Sequence, residues 1–237
     1  MASRASSRAP LGAPLFLLNL KAYPGCLGPG ALKMGELLER LGAEHQVPVA
    51  LAAPTPDLSL LAQSLRIPVL AQHVDPRPTG ASTGWTVPES LAASGVRGSL
   101  VNHSEHRIAP ADLVATVQRM AEASLPAVVC AQEEREAGAL ASSSHPAYLA
   151  VEPPELIGGK VSVSKARPEV VSGSVRTVRA ASPTTRLLCG AGVQDGEDVR
   201  RALELGAEGV LVASAVATSP DPESSLRRLL SGFSARR

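Results

Sequence analysis

Short strand-like segments recur at a nearly even spacing along the whole chain, which leaves few folds open to it. Eight such segments begin between residues 15 and 208, about 28 residues apart on average. A unit of that length accommodates one strand and one helix. The predicted strands are Leu15–Leu20, Val47–Ala52, Ile67–Gln72, Gly98–Asn102, Pro126–Ala131, Tyr148–Glu152, Arg186–Gly190 and Glu208–Ala213.

Helical patterns lie between these segments, and several strands are continuous apolar runs such as PAVVCA and GVLVA. Continuous runs are typical of strands buried on both faces of a parallel sheet. The predicted helices are Ala31–Ala43, Pro110–Ala123, Glu197–Leu205 and Asp221–Leu230. Eight units in 237 residues predict an α/β fold, a closed (β/α)₈ barrel. An open doubly wound sheet is the main alternative, although it usually has fewer strands.

No linker or change in composition divides the chain, so residues 14–237 are predicted to form a single catalytic barrel domain. The segment before it, MASRASSRAPLGA, is rich in Ser and Arg and has no acidic residue. It also lacks the apolar stretch of a secretory signal. Residues 1–13 are therefore expected to be a disordered leader, with a cleaved organelle presequence as the alternative.

Composition excludes several classes of protein. The chain has 23 basic and 22 acidic residues and only five aromatic ones, which argues against a nucleic-acid or membrane-surface partner. No apolar run approaches the roughly 20 residues that a membrane span requires. The three cysteines are widely separated and form no CxxC pair, so neither a disulfide framework nor a metal site is expected. A reducing cytoplasm is the predicted location.

Polar residues follow several predicted strands, where the active site of a (β/α)₈ barrel forms. Asn19 and Lys21 end strand 1, His103 and Glu105 follow strand 4, and Glu152 ends strand 6. A carboxylate that loses water at the barrel mouth becomes a stronger base. Each residue also has a structural interpretation: Lys21 as a surface lysine, His103 as a capped histidine at a strand–helix junction, and Glu152 as one half of an ion pair.

Strands 7 and 8 end in small residues that suit a phosphate site. Gly190-Ala191-Gly192 follows strand 7, and Ala213-Ser214 follows strand 8. Barrels often bind phosphate at these two strand ends, through backbone N–H groups and a short helix N-terminus. A single GxG turn is weak support for a phosphate site, but small residues at both of the expected strand ends are stronger support.

The motifs NLKAY, AQHVD, STG, VNHSEHR, AVEPPELIGG, SKARPEV, CGAGV and GVLVASAV occur in this order from about residue 15 to 230. Together they resemble triosephosphate isomerase, in its shorter archaeal-type form. The resemblance implies a barrel enzyme of glycolysis or gluconeogenesis that acts on triose phosphates. It also implies that the enzyme requires neither a metal nor an organic cofactor.

The resemblance further implies a role for each polar residue at the strand ends. Glu152 would be the base that moves a proton between C1 and C2 of the substrate. His103 would be the neutral electrophile that polarises the carbonyl group. Lys21 would supply positive charge, Asn19 would orient it, and Glu105 would support it.

The same resemblance implies a set of substrate- and phosphate-binding positions. In addition to Asn19 and Lys21 they are Leu20, Ile157, Gly192, Ala213 and Ser214. Ile157 would lie at the tip of a lid running from Pro153 to about Ala166.

Three positions depart from the family's usual pattern. The lid contains Gly158-Gly159-Lys160, where related sequences usually have a Thr between two glycines. His106 stands where the wider family usually has Arg or Asn, and strand 8 ends in Ala-Ser-Ala instead of a glycine-rich step. These changes leave the proposed catalytic side chains in place.

The loop after strand 3, from His73 to Trp85, is the segment that commonly crosses to a partner subunit in this family. A homodimer or homotetramer is therefore expected. Two other functions remain open for the residues themselves. One is a Schiff-base aldolase with Lys21 or Lys165 as nucleophile, and the other is a sugar-phosphate sensor without catalytic activity.

Overall fold

Eight strands form at the places that the sequence predicts. The computed structural model describes residues 11–156 and 162–234. The strands are β1 Leu15–Asn19, β2 Val49–Ala53, β3 Val69–Ala71, β4 Ser99–Val101, β5 Ala127–Ala131, β6 Tyr148–Val151, β7 Arg186–Cys189 and β8 Gly209–Val212. Each overlaps its predicted segment, and β3 and β4 are shorter than predicted.

The strands pair in chain order and close into a barrel. All the pairs are parallel, and β1 is bonded both to β2, where Phe16 faces Val49, and to β8, where Leu15 faces Gly209. This closure confirms the (β/α)₈ barrel and excludes the open doubly wound sheet. It also brings the carboxyl ends of all eight strands to one mouth.

Helices alternate with the strands and cover the outside of the barrel. They are α1 Pro29–His45, α2 Leu58–Ser64, α3 Pro88–Ala93, α4 Pro110–Glu122, α5 Glu134–Ser144, α6 Val163–Ala166, α7 Pro168–Ala181, α8 Gly196–Glu204, α9 Ser214–Ala217 and α10 Pro222–Ser231. The four predicted helices correspond to α1, α4, α8 and α10. No helix of the described residues is long and apolar enough to cross a membrane.

The strands separate two hydrophobic cores, because successive side chains of a strand point to opposite faces. On β1, Leu15 and Leu17 point into the barrel, and Phe16 and Leu18 point outward against the helices. Both sets are fully buried. This double burial explains why the strands are continuous apolar runs.

The amino-terminal end of the barrel is closed by the chain that precedes β1. Leu11 is buried with the inward-facing side chains. The carbonyl of Gly12 accepts hydrogen bonds from Tyr148 Oη at 3.1 Å and from Arg186 Nη1 at 3.2 Å. The last residues of the predicted leader thus pack on the barrel, and residues 1–10 lie outside the described part.

Candidate active site

One cavity lies at the carboxyl ends of the strands, and residues from five strand ends line it. Those on the first, fourth and sixth strands are Asn19, Lys21, His103 and Glu152. The opposite wall is formed by residues 191–194 after β7 and by residues 211–215 at the end of β8. Residues up to 196 positions apart in sequence, Asn19 and Ala215, therefore line the same small volume.

Glu152 directly follows β6, and its backbone N–H donates to the carbonyl of Ala131 at 2.8 Å. Its side chain is buried, with 6% of the residue exposed. Among the described residues, Oε2 has no hydrogen-bond partner, and it lies 3.7 Å from Nε2 of His103. That separation is too long for a good hydrogen bond. A buried carboxylate oxygen without a partner is free to contact a bound substrate.

His103 is held in one orientation by the chain that follows it. The backbone N–H of Glu105 donates to its Nδ1 at 3.2 Å. Because Nδ1 accepts this bond, a neutral ring carries its proton on Nε2, the nitrogen that faces Glu152. This tautomer is assigned from the hydrogen-bond geometry. The arrangement presents an N–H donor from an uncharged imidazole to the cavity.

Lys21 has a left-handed backbone conformation, with φ of 50°. Residues other than glycine rarely adopt it, and it costs free energy that the surroundings must offset. Here the backbone N–H of Lys21 donates to Oδ1 of Asn19 at 3.0 Å. The ammonium group forms an ion pair with Glu105 at 2.5 Å. The turn thus aims a mostly buried lysine at the barrel mouth.

Gln72 supports this turn, and the sequence analysis gave it no role. Its side-chain amide donates to Oδ1 of Asn19 at 3.1 Å and to the carbonyl of Lys21 at 3.0 Å. Gln72 directly follows β3, and this position could have revealed its role. Polar residues at the ends of other strands are predicted site residues for the same reason.

The wall after β7 and β8 has the backbone shape of an anion site. Ala191 and Gly192 both have positive φ, 44° and 71°, so this turn departs from the strand sharply. Ser214 begins the short helix α9, and Ala213 precedes it. The first N–H groups of a helix lack partners within the helix, and they attract anions.

One of the predicted binding residues, Leu20, does not line this cavity. The side chain of Leu20 is fully buried in the outer core, so only its backbone lies near the site. Ile157 falls outside the described residues, as do Gly158, Gly159 and Lys160 of the predicted lid. Glu105 lies at the edge, where it contacts Lys21.

The cysteines of the chain are free and buried. Burial is the main reason that the pKa of Cys130, on the strand next to Glu152, is well above its usual value. Burial likewise raises the pKa of Cys189 to about 12. These thiols remain protonated and are poor nucleophiles. Among residues 11–156 and 162–234, no group of three or more side chains could hold a metal ion.

His106, one of the departures from the family pattern, packs against the loop after β3. Its ring stacks on that of His73, with the ring centroids 4.0 Å apart. Loss of water, and then the neighbouring His73, lower the pKa of His106, and Asp75 opposes this shift. The His106 ring is therefore mostly neutral at pH 7.

Comparison with known proteins points to one family. The family model described as triosephosphate isomerase matches residues 14–229. The triosephosphate isomerase of Methanothermus fervidus is 42% identical over 217 residues, which cover 92% of this chain and 97% of that protein. That of Methanocaldococcus jannaschii is 40% identical over 216 residues, covering 91% and 98%. That of Methanosarcina acetivorans is 39% identical over 220 residues, covering 93% and 99%.

Proposed function

The chain belongs to the triosephosphate isomerase family, and we propose that Glu152 and His103 carry out the proton transfers of its reaction. It is an aldose–ketose isomerase that interconverts dihydroxyacetone phosphate and D-glyceraldehyde 3-phosphate. The observation that carries the proposed roles is the approach of His103 Nε2 to Glu152 Oε2, 3.7 Å apart in one cavity.

Isomerisation moves a proton between two neighbouring carbons of the substrate. The free Oε2 of Glu152 removes the proton from C1 of dihydroxyacetone phosphate, and the electron pair of the C–H bond forms an enediolate. The N–H of His103 donates to the carbonyl oxygen and stabilises the charge that develops on it. Glu152 then returns the proton to C2, while His103 passes the proton of the C1 hydroxyl group to the oxygen on C2, so that C1 becomes the carbonyl carbon. A positioned base contributes roughly 10²- to 10⁴-fold to such a rate.

Lys21 contributes positive charge to the enediolate and to the phosphate group. Its ion pair with Glu105 and its hydrogen bond to Asn19 hold it near the anion. Because these contacts form before the substrate arrives, little reorganisation is needed in the transition state. Asn19 and Glu105 thus act by positioning Lys21.

The phosphate group binds to the wall after β7 and β8. Backbone N–H groups of Gly192, Ala213 and Ser214 are the donors, supported by the positive φ of Gly192 and by the start of α9 at Ser214. Leu20 contributes through its backbone alone, and Ile157, which lies outside the described residues, stays a predicted binding residue.

The charge of Lys165 argues against this residue as the nucleophile of the Schiff-base alternative. A Schiff-base lysine needs a lowered pKa so that its amine is neutral. The hydrogen bond to Asp198 instead raises the pKa of Lys165. The pairing of a base with an electrophile argues against the sensor, because a protein that only binds sugar phosphates requires neither.

We also propose a homo-oligomer, dimer or tetramer, in a cytoplasmic location. An apolar side chain supports the oligomer: Trp85, at the end of the loop after β3, is 49% exposed. Exposed tryptophans are typical of protein interfaces. Three buried free thiols agree with a reducing compartment.

Replacing the proposed base tests the assignment. In the variant Glu152→Gln, kcat should fall by about 10³-fold or more, because the amide cannot accept the proton. The measurement is a coupled isomerase assay on the purified protein. The matched control is Glu36→Gln, on the exposed face of α1, which should retain wild-type turnover.

Thermal melting of both variants shows whether the barrel remains folded. Turnover close to wild type in a folded Glu152→Gln variant would refute the role of Glu152 as base. A wild-type protein that binds 2-phosphoglycolate but does not isomerise would favour the sensor, and a substrate adduct trapped with borohydride would favour the aldolase.

A further inference from the structure

Asp198 is a buried carboxylate outside the proposed catalytic set. It lies in the first turn of α8, and 2% of the residue is exposed. Its Oδ1 accepts hydrogen bonds from Ser162 Oγ at 2.7 Å and from Lys165 Nζ at 2.8 Å. Its Oδ2 accepts the backbone N–H of Gln194 at 2.8 Å. One carboxylate therefore bonds to two separate parts of the chain.

One of these parts lines the proposed substrate site, and the other contacts the part that does. Gln194 belongs to the turn after β7, which contains the phosphate-binding Gly192. Ser162 and Lys165 belong to the segment from 162 to 166, which is the carboxyl-terminal end of the predicted lid region. The two parts also touch directly, because the backbone N–H of Val163 donates to the carbonyl of Ala191 at 3.2 Å.

Capping of α8 explains only part of this arrangement. The side chain of Asp195 caps the helix by accepting the N–H of Asp198 at 2.9 Å, and Asp198 in turn accepts the N–H of Gln194. Reciprocal bonds of this kind are common at helix starts. The contacts with Ser162 and Lys165 contribute nothing to the cap, since both residues precede β7 in the chain and α8 follows it.

A second hydroxyl group strengthens the connection. Ser164 Oγ donates to the backbone carbonyl of Asp198 at 3.2 Å, and it lies 3.1 Å from Ser162 Oγ. Both serines are buried. Two buried hydroxyls and one ammonium group from a five-residue segment thus converge on a single residue of α8. Buried polar groups that are all satisfied hold a single geometry.

We propose that Asp198 is a positioning residue that sets the phosphate-binding turn after β7 by bonding it to residues 162–166. The inference rests on the proposed function, because it assigns Gly192 to the substrate phosphate. The turn has the left-handed conformation at two successive residues, Ala191 and Gly192. The bonds to Asp198 hold that turn in place before the substrate binds, which lowers the cost of binding.

A variant on the far side of the connection tests this without disturbing the helix cap. Ser162→Ala removes one buried donor to Asp198, and it should raise the inhibition constants of inorganic phosphate and 2-phosphoglycolate by about fivefold. Asp198→Asn, which also loses the charge, should raise both by about tenfold or more. KM should rise in parallel, and kcat should change by less than KM. The matched controls are Ser172→Ala and Asp112→Asn, which do not line the cavity and should leave these constants unchanged.

The double variant Ser162→Ala/Asp198→Asn tests whether Ser162 and Asp198 affect phosphate binding through the same hydrogen bond or independently. If the two residues act through one bond, the double variant should be little worse than Asp198→Asn alone. Inhibition constants and KM unchanged in Ser162→Ala and Asp198→Asn, with only a lowered melting temperature, would overturn the proposal. Phosphate affinity can also be measured by calorimetry, so it reports on Asp198 whether or not the wild-type protein isomerises its substrate.

Discussion

At the level of single residues, the position of Glu152 depends on the space that Gly190 leaves beside it. An added Cβ at residue 190 would overlap Cγ of Glu152. Interiors are packed closely enough that a side chain displaced in this way has few other places to go. Gly190 therefore does more than allow a turn, because its missing side chain makes room for the proposed base.

We expect Gly190→Ala to reduce kcat by about 10²-fold, because a catalytic group displaced by about 1 Å loses much of its efficiency. The measurement is steady-state isomerase kinetics. Gly25→Ala is the matched control, since a Cβ there would meet no other atom within 4 Å. A Gly190→Ala variant with wild-type kcat would show that Glu152 tolerates the displacement.

Turns that contain a residue with positive φ place the other polar groups of the site. Lys21 and Asn102 both lie within two residues of the end of a strand and have positive φ, 50° and 63°. Asn102 donates to the carbonyl of Cys130 at 3.1 Å and accepts the N–H of Ile108 at 3.2 Å. These bonds stabilise the turn that carries His103. The strain at each turn is thus offset by side-chain hydrogen bonds of its neighbours.

At the level of helices and strands, α8 is tied to the short helix α6 through Asp198. Burial pushes the pKa of Asp198 upward, but hydrogen bonds from Lys165, the N–H of Gln194 and Ser162 outweigh it. The pKa is therefore below its usual value of 3.8. A lowered folded-state pKa means that the ionised carboxylate stabilises the fold at neutral pH.

This linkage predicts how the stability of Asp198→Asn compares with that of wild type at different pH values. The stabilisation from the carboxylate is fully present above about pH 5, and it is lost as the pH falls below 3.8 through the folded-state pKa. The gap in unfolding free energy between wild type and variant should therefore be constant from pH 7 to 5 and should narrow in more acidic solution. Urea titrations at several pH values measure it. A gap that widens as the pH falls would contradict the assignment.

Two long helices, α5 and α7, were not among the predicted ones. The segment of α5, EREAGALASSS, consists mainly of small residues, and only Ala137 and Ala141 are buried. Small residues give little hydrophobic periodicity, and the helix is stabilised by packing against α7. The four predicted helices present larger side chains to the barrel. α7 does so as well, with Val170, Val171, Val175 and Val178 buried, so its pattern was present in the sequence.

At the level of the whole molecule, the loop after β3 extends from the barrel mouth with an aromatic side chain at its end. Arg77 lies over the ring of Trp85, 4.4 Å from the ring centroid. The two ends of this loop are joined to each other, because Asp75 accepts the N–H of Thr86 at 2.8 Å. An ordered, half-exposed tryptophan of this kind suits the centre of a subunit interface.

We expect Trp85→Ser to weaken the proposed homo-oligomer by tenfold or more, because tryptophans carry a large share of interface energy. Light scattering after gel filtration over a range of concentrations measures the mass. Trp85 is the only tryptophan of the sequence, so its fluorescence in the wild type should shift to longer wavelength as dilution exposes it. A wild-type protein of about 24 kDa at every concentration would show that no oligomer forms.

Much of the architecture could be predicted from the sequence alone, because it depends on local patterns. The even spacing of apolar runs predicted eight strands, and the polar residues after them predicted which strand ends face the site. Both predictions follow from the periodicity of side chains along the backbone, which can be read from the sequence without knowledge of the tertiary contacts. The resemblance of the motifs then named the family.

Only the tertiary structure decided how those side chains meet. The approach of Glu152 to His103, the ion pair of Lys21 with Glu105 and the contacts of Asp198 all join positions far apart in sequence. They depend on the closure of the barrel and on side-chain directions set by a few left-handed residues. Such contacts leave no periodic trace in the sequence, because each is specified by three-dimensional packing and not by the residues next to it.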